Sequence, residues 1–167
     1  RPLPLPPPCP ARRVPPDALE RQVDLKWPRT LWLVRHGQSA GNVARDAAEA
    51  ARAPMIDIAH RDMDVPLSTL GGRQARSLGL WFGELPPDEQ PTVLLCSPYL
   101  RAIETARLLL EAAALGEDGP PLVSDERLRE KEFGVLDRLT VHGIAAQHPE
   151  LAAQRRHVGK FYFRPPG

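Results

Sequence analysis

The sequence predicts an α/β domain, a three-layer sandwich with a mostly parallel sheet between helices. Two observations carry this. Short, nearly unbroken apolar runs at residues 30–34 and 92–96 each stop abruptly at a polar or proline-containing segment, as strands buried on both faces do. Stretches with apolar residues at helical spacing alternate with these runs, which is the order of a parallel sheet whose crossovers are helices.

The elements follow in chain order. Residues 1–28 are crowded with prolines, and the run Pro2-Leu3-Pro4-Leu5-Pro6-Pro7-Pro8 favours polyproline II but offers nothing to pack into a core. This segment is expected to be a disordered leader, with a ligand for an SH3-like or WW-like module as the sharper alternative. One domain is expected over residues 29–167. Thr30-Leu31-Trp32-Leu33-Val34 is the first expected strand and ends at Arg35-His36-Gly37. Leu70, Gln74, Leu78, Phe82 and Leu85 then fall at helical spacing, with Gly71-Gly72 near the start and Pro86-Pro87 as the stop. Thr92-Val93-Leu94-Leu95-Cys96 is the second strand and ends at Ser97-Pro98. Ile103, Ala106, Leu110 and Ala113 repeat the helical pattern, and a third short strand is expected around Leu122-Val123.

Bulk properties narrow the function. A chain of 167 residues, 42% of them hydrophobic, suits one core. With 22 basic and 21 acidic residues the formal charge is +1, so no whole-molecule field directs the protein to nucleic acid or to an anionic membrane. Any anion site is therefore local. Cys9 and Cys96 make neither a disulfide framework nor a metal knuckle, which fits a reducing cytoplasm. No apolar stretch nears the roughly 18 residues of a membrane span, and the arginine-bearing start lacks the apolar core of a signal peptide.

In open parallel sheets, functional groups collect beyond the carboxyl ends of the strands. Arg35 and His36 leave the first expected strand directly, and Arg101 stands four residues beyond Ser97 on the first turn of the next helix. Two guanidiniums and an imidazole facing one space suit a phosphate, because arginine grips its oxygens in a bidentate fork and stays charged. The positive neighbours also favour the neutral, nucleophilic imidazole. Asp57, His60, Asp62 and Asp64 form a rival constellation. On an extended chain, residues 60, 62 and 64 would present oxygen and nitrogen ligands on one side, as a metal site requires.

Leu33-Val34-Arg35-His36-Gly37-Gln38-Ser39 with Asn42 is similar to the signature that opens the histidine phosphatase superfamily, the phosphoglycerate mutase-like proteins. Further segments resemble that family in order: Leu67-Ser68-Thr69-Leu70-Gly71 with Gln74-Ala75, then Ser97-Pro98-Tyr99-Leu100-Arg101-Ala102 with Thr105-Ala106, then Leu128-Arg129-Glu130-Lys131-Glu132-Phe133-Gly134. An Arg-His-Gly triplet alone is weak, whereas four ordered segments are specific.

The resemblance implies that His36 attacks phosphorus and becomes phosphorylated, that Arg35 and Arg101 hold the phosphoryl oxygens, and that Asn42 donates a hydrogen bond nearby. Glu130 would protonate the leaving oxygen and later activate water. Glu132, two residues on, would point the other way on an extended segment. No cofactor and no metal are implied, the substrate being a small phosphorylated molecule, and a homodimer is left open. The family's second histidine, usually followed by glycine, comes after a later apolar strand. His142-Gly143 has the dipeptide but follows Asp137-Arg138-Leu139-Thr140-Val141, so the second histidine is expected beyond Gly167, with the domain incomplete at its C-terminus. A phosphatase is preferred to a phosphoglycerate-type mutase, because mutases of the glycolytic type usually carry Gly-Trp where Arg61-Asp62-Met63-Asp64-Val65-Pro66 stands. An inactive phosphate-binding fragment is the reading from a different class.

Overall fold

A computed structural model describes residues 28–115, 119–159 and 161–167. The proline-rich leader expected over residues 1–28, apart from Pro28, and Cys9 lie outside the described residues. Seven regular elements follow in order: α1 (Ala40–Ala50), α2 (Thr69–Glu84), β1 (Leu94–Cys96), α3 (Leu100–Ala113), β2 (Leu122–Ser124), α4 (Val141–Gln147) and α5 (Pro149–Val158). Single 3-10 turns stand at Asp62–Asp64, Glu126–Leu128 and Gly134–Leu136.

Three of the five helices among the described residues start where hydroxyl side chains cap them. Ser39, Ser68 and Thr140 accept from the backbone N–H of Asn42, Gly71 and Gly143, satisfying donors that a first helical turn leaves unpaired. At α1 the cap is reciprocal, because Asn42 also accepts from the N–H of Ser39.

The α/β class holds, with β1 and β2 paired in parallel in the register Leu94 to Leu122, Leu95 to Val123 and Cys96 to Ser124. Helix α3 lies between them in the chain, as a parallel connection demands. The first expected strand does not form: residues 30–34 have no ladder partner among the described residues. Leu31 is 72% and Leu33 88% exposed. An apolar run supplies side chains for burial, but a strand also needs a neighbour that shares its backbone hydrogen bonds. Trp32 alone in this run stacks on aromatic rings, edge-on to Trp81 at 5.4 Å and Phe82 at 5.5 Å.

The helix expected from the spacing of Leu70, Gln74, Leu78, Phe82 and Leu85 forms as α2, but small residues make up most of its buried face. Helix α2 buries Gly71, Ala75, Gly79 and Phe82, while Leu70 is exposed. A Cβ at Gly79 would lie 2.3 Å from the carbonyl oxygen of Leu109, and one at Gly83 would lie 2.6 Å from that of Ala113. The helices therefore meet backbone to backbone, which glycine permits and a leucine face would prevent. Against this face α3 buries Thr105, Ala106, Leu109 and Ala113. A second cluster gathers Leu136, Leu139, Ile144 and Phe163. No helix among the described residues is long and apolar enough to cross a membrane.

Candidate active site

His36 sits on an arm held by a handful of side-chain and backbone hydrogen bonds instead of a strand ladder. The N–H of Gly37 donates to Thr105 Oγ1 at 3.1 Å, and that of Gln38 donates to Gln74 Oε1 at 2.8 Å. Ser68 donates twice to Gln38, through its N–H to the backbone carbonyl at 2.9 Å and through its hydroxyl to Oε1 at 2.7 Å. A Cβ on Gly37 would lie 2.5 Å from the carbonyl oxygen of Gly71, and a Cβ on Gly71 would lie 2.0 Å from that of Gln38. Both glycines are required by this approach of the arm to the start of α2.

The half-buried His36 ring has Nδ1 at 2.7 Å from the carbonyl oxygen of Gly37. A carbonyl can only accept, so Nδ1 carries the hydrogen and Nε2 keeps the lone pair. In the neutral ring the arrangement leaves Nε2 as the nitrogen with a free lone pair.

Arg101 is built differently. Its side chain is 6% exposed, lies with the guanidinium carbon 4.6 Å from the centre of the Tyr99 ring, and is anchored at its backbone carbonyl by Thr105 Oγ1 at 2.7 Å. An arginine on the first turn of a helix faces the positive end of the dipole. Two carboxylates offset this: Arg101 donates to Asp62 and, at 2.7 Å, to Glu130 Oε2. The Tyr99 phenol is pushed up from its ordinary range, first by burial and then by the negative charge of Asp62.

One cavity of about 300 Å³ is lined by all five predicted residues, Arg35, His36, Asn42, Arg101 and Glu130, together with Asp62 and an apolar side that includes Ile56, Ile58 and Phe133. A second space, of about 520 Å³, also opens on Arg35, His36 and Asn42 and is lined further by Asp46, Gln74 and Thr105. Asn42 spends its Oδ1 on the Ser39 N–H at 3.0 Å, which keeps its amide NH2 as a donor. Glu132 pairs with Arg129 at 3.5 Å and does not line the cavity. His142 is exposed on α4 and lines neither space.

The rival metal constellation does not assemble. Residues 62–64 form a 3-10 turn, so the alternation of an extended chain is lost. Asp64 turns to Arg61 at 2.7 Å and Asp62 to Arg101 at 3.1 Å. Among the described residues no group of three or more His, Cys, Asp or Glu side chains is placed to hold a metal ion. Two residues of the site carried no role in the sequence reading, Tyr99 under the guanidinium and Thr105 between the arm and α3, while Asp62, weighed there as a metal ligand, stands against Arg101 instead. The signal for Thr105 was its place one helical turn after Arg101.

The sequence pattern of the histidine phosphatase superfamily, branch 1, matches residues 31–167. The chain belongs to this superfamily. It is 32% identical over 137 residues to a 2,3-bisphosphoglycerate-dependent phosphoglycerate mutase 2 of Gloeobacter violaceus, covering 82% of this chain and 54% of the relative. Over 104 residues it is 38% identical to the adenosylcobalamin/alpha-ribazole phosphatase of Salmonella typhimurium, covering 62% and 41%. Among solved structures, a mycobacterial glucosyl-3-phosphoglycerate phosphatase superimposes with a TM-score of 0.52 at 30% identity, covering 73% of this chain and 48% of that one. The chain thus spans about half the length of the relatives it matches.

Proposed function

We propose that this chain carries the phosphoryl-transfer site of a phosphomonoester hydrolase acting on a small phosphorylated substrate through a phosphohistidine at His36. The observation that carries the reading is that Arg35, His36, Asn42, Arg101 and Glu130, drawn from three separate stretches of sequence, line one cavity. Nε2 of His36 attacks phosphorus as the bond to the ester oxygen breaks. Glu130 relays a proton to the leaving oxygen, and the alcohol departs. Water then attacks phosphorus, Glu130 takes its proton, the P–N bond breaks, and inorganic phosphate is released with His36 neutral again. Arg35, Arg101 and the Asn42 amide are placed to hold the charge that builds on the phosphoryl oxygens.

The reading includes no cofactor and a cytoplasmic setting, the latter resting on the two-cysteine composition. The mutase alternative draws support from the Gloeobacter relative and would return the phosphoryl group from His36 to the substrate.

The test is to incubate the protein with a chromogenic phosphomonoester carrying labelled phosphorus and to quench in alkali and in acid. A label stable in alkali, labile in acid and absent from His36→Ala is expected, with free phosphate accumulating. Label retained by His36→Ala would overturn the assignment. Transfer to a phosphoglycerate instead of water would favour the mutase.

A further inference from the structure

The arginine assigned to the phosphate is already gripped by a carboxylate along its terminal edge, one of the edges that can take a phosphate in a bidentate pair. A guanidinium has five N–H donors in a planar fork, and a bidentate anion needs two parallel ones along one edge. Along its terminal edge, Arg101 donates from Nη1 to Asp62 Oδ1 at 3.1 Å and from Nη2 to Asp62 Oδ2 at 3.5 Å. Nη1 also donates to the Asp62 backbone carbonyl at 2.6 Å, and Nη2 to Glu130 Oε2 at 2.7 Å. Asp62 is therefore the two-toothed partner and Glu130 the single one.

The two members of this pair differ in how firmly they are held. Arg101 is buried beneath Tyr99 and tied through Thr105. The Asp62 side chain is 53% exposed, on a three-residue 3-10 turn that begins without a side-chain cap. When an anion arrives, the carboxylate is the member that can swing away.

We infer that Asp62 occupies the phosphate edge of Arg101 and sets the anion selectivity of the site, so that a doubly charged phosphoryl group enters by displacing it. This rests on the phosphate-site reading above. A dianion outbids a singly charged carboxylate for the guanidinium, whereas a monoanion such as a phosphodiester has no such advantage. Asp62 is thus a specificity-determining residue that excludes weakly charged anions.

The experiment is a calorimetric titration of the wild type, Asp62→Asn and Asp64→Asn with inorganic phosphate and with dimethyl phosphate. Asp64→Asn removes the same charge from the same turn but from a carboxylate paired with Arg61. Removing the competitor should tighten phosphate binding about tenfold in Asp62→Asn and raise dimethyl phosphate into the measurable range, with Asp64→Asn matching the wild type. A merely structural role for Asp62 could not produce a gain. Asp62→Ser, with its melting temperature measured alongside, stands in if the asparagine variant does not fold. Weaker or unchanged phosphate binding in Asp62→Asn would overturn the inference, as would an equal gain in Asp64→Asn. Failure of every folded variant to bind phosphate would overturn the site reading and this inference together.

Discussion

The two arginine-bearing sides of the site are supported in opposite ways. Arg101 is fixed by burial, an aromatic ring and two carboxylates. Arg35 and His36 stand at the end of an apolar run that pairs with no strand among the described residues, and depend on contacts from Gln74, Ser68 and Thr105 to the residues that follow them. The lesson is that a site can be preorganised on one side by packing and on the other by a handful of hydrogen bonds. Substitutions should expose this difference.

Arg101→Met is expected to have the largest effect. It removes the charge clamp and strands two carboxylates against each other, so vanadate or phosphate affinity should fall about a hundredfold or more. Stability should drop by on the order of 2 kcal/mol, between an exposed pair and a fully buried one, because both acidic partners are half-exposed. Affinity within threefold of the wild type in a titration would break the comparison, since the packed side would then contribute nothing.

Gly71→Ala strikes the other side. Its Cβ would enter the space of the Gln38 carbonyl oxygen, forcing the arm away at about 2 kcal/mol in denaturant unfolding. Turnover is expected to fall with it while the Tyr99–Arg101 stack stays intact, visible as an unchanged near-ultraviolet tyrosine signal. Thr105→Val removes a hydroxyl that bonds to both sides, leaving the buried Gly37 N–H unpaired at about 1 kcal/mol. Equal stability of the valine variant would mean that the two sides are not coupled through this hydroxyl.

The smallest effect is expected at Asp125, outside both sides. Hydrogen bonds from the Arg127 side chain, then from its backbone N–H, hold the Asp125 carboxyl down to about 2. A depressed carboxyl adds stability above its ordinary value of 3.8 and loses it as pH falls through about 2. Asp125→Asn should therefore melt slightly below the wild type at neutral pH, with the two curves converging in acid below that value.

Much of this was legible in the sequence. Proline punctuation and helical spacing located α2 and α3, and the apolar runs at 94–96 and 122–124 became the parallel pair. Side-chain pattern could not say which run finds a partner edge, because pairing is a property of two segments: residues 30–34 read as a strand and are none. Nor could it reveal the small-residue face of α2, since close helix approach depends on what lies opposite Gly79 and Gly83. Arg35, His36 and Arg101 were named from their places beyond expected strand ends, and Asn42 and Glu130 from the resemblance to the superfamily. Asp62 was read as a metal ligand because extended geometry was assumed for a segment that turns, and only the turn directs its carboxylate to Arg101.

Cys96 closes β1, buried, and its thiol is pushed up by that burial in spite of the opposing charge of Arg107. It stays protonated at neutral pH, and alkylating reagents need both the thiolate and access to it. Its labelling therefore works as a clock. The rate at which Cys96 is modified counts the openings of the parallel pair, slowest when the pair is closed, and separates local breathing from global unfolding when followed across denaturant.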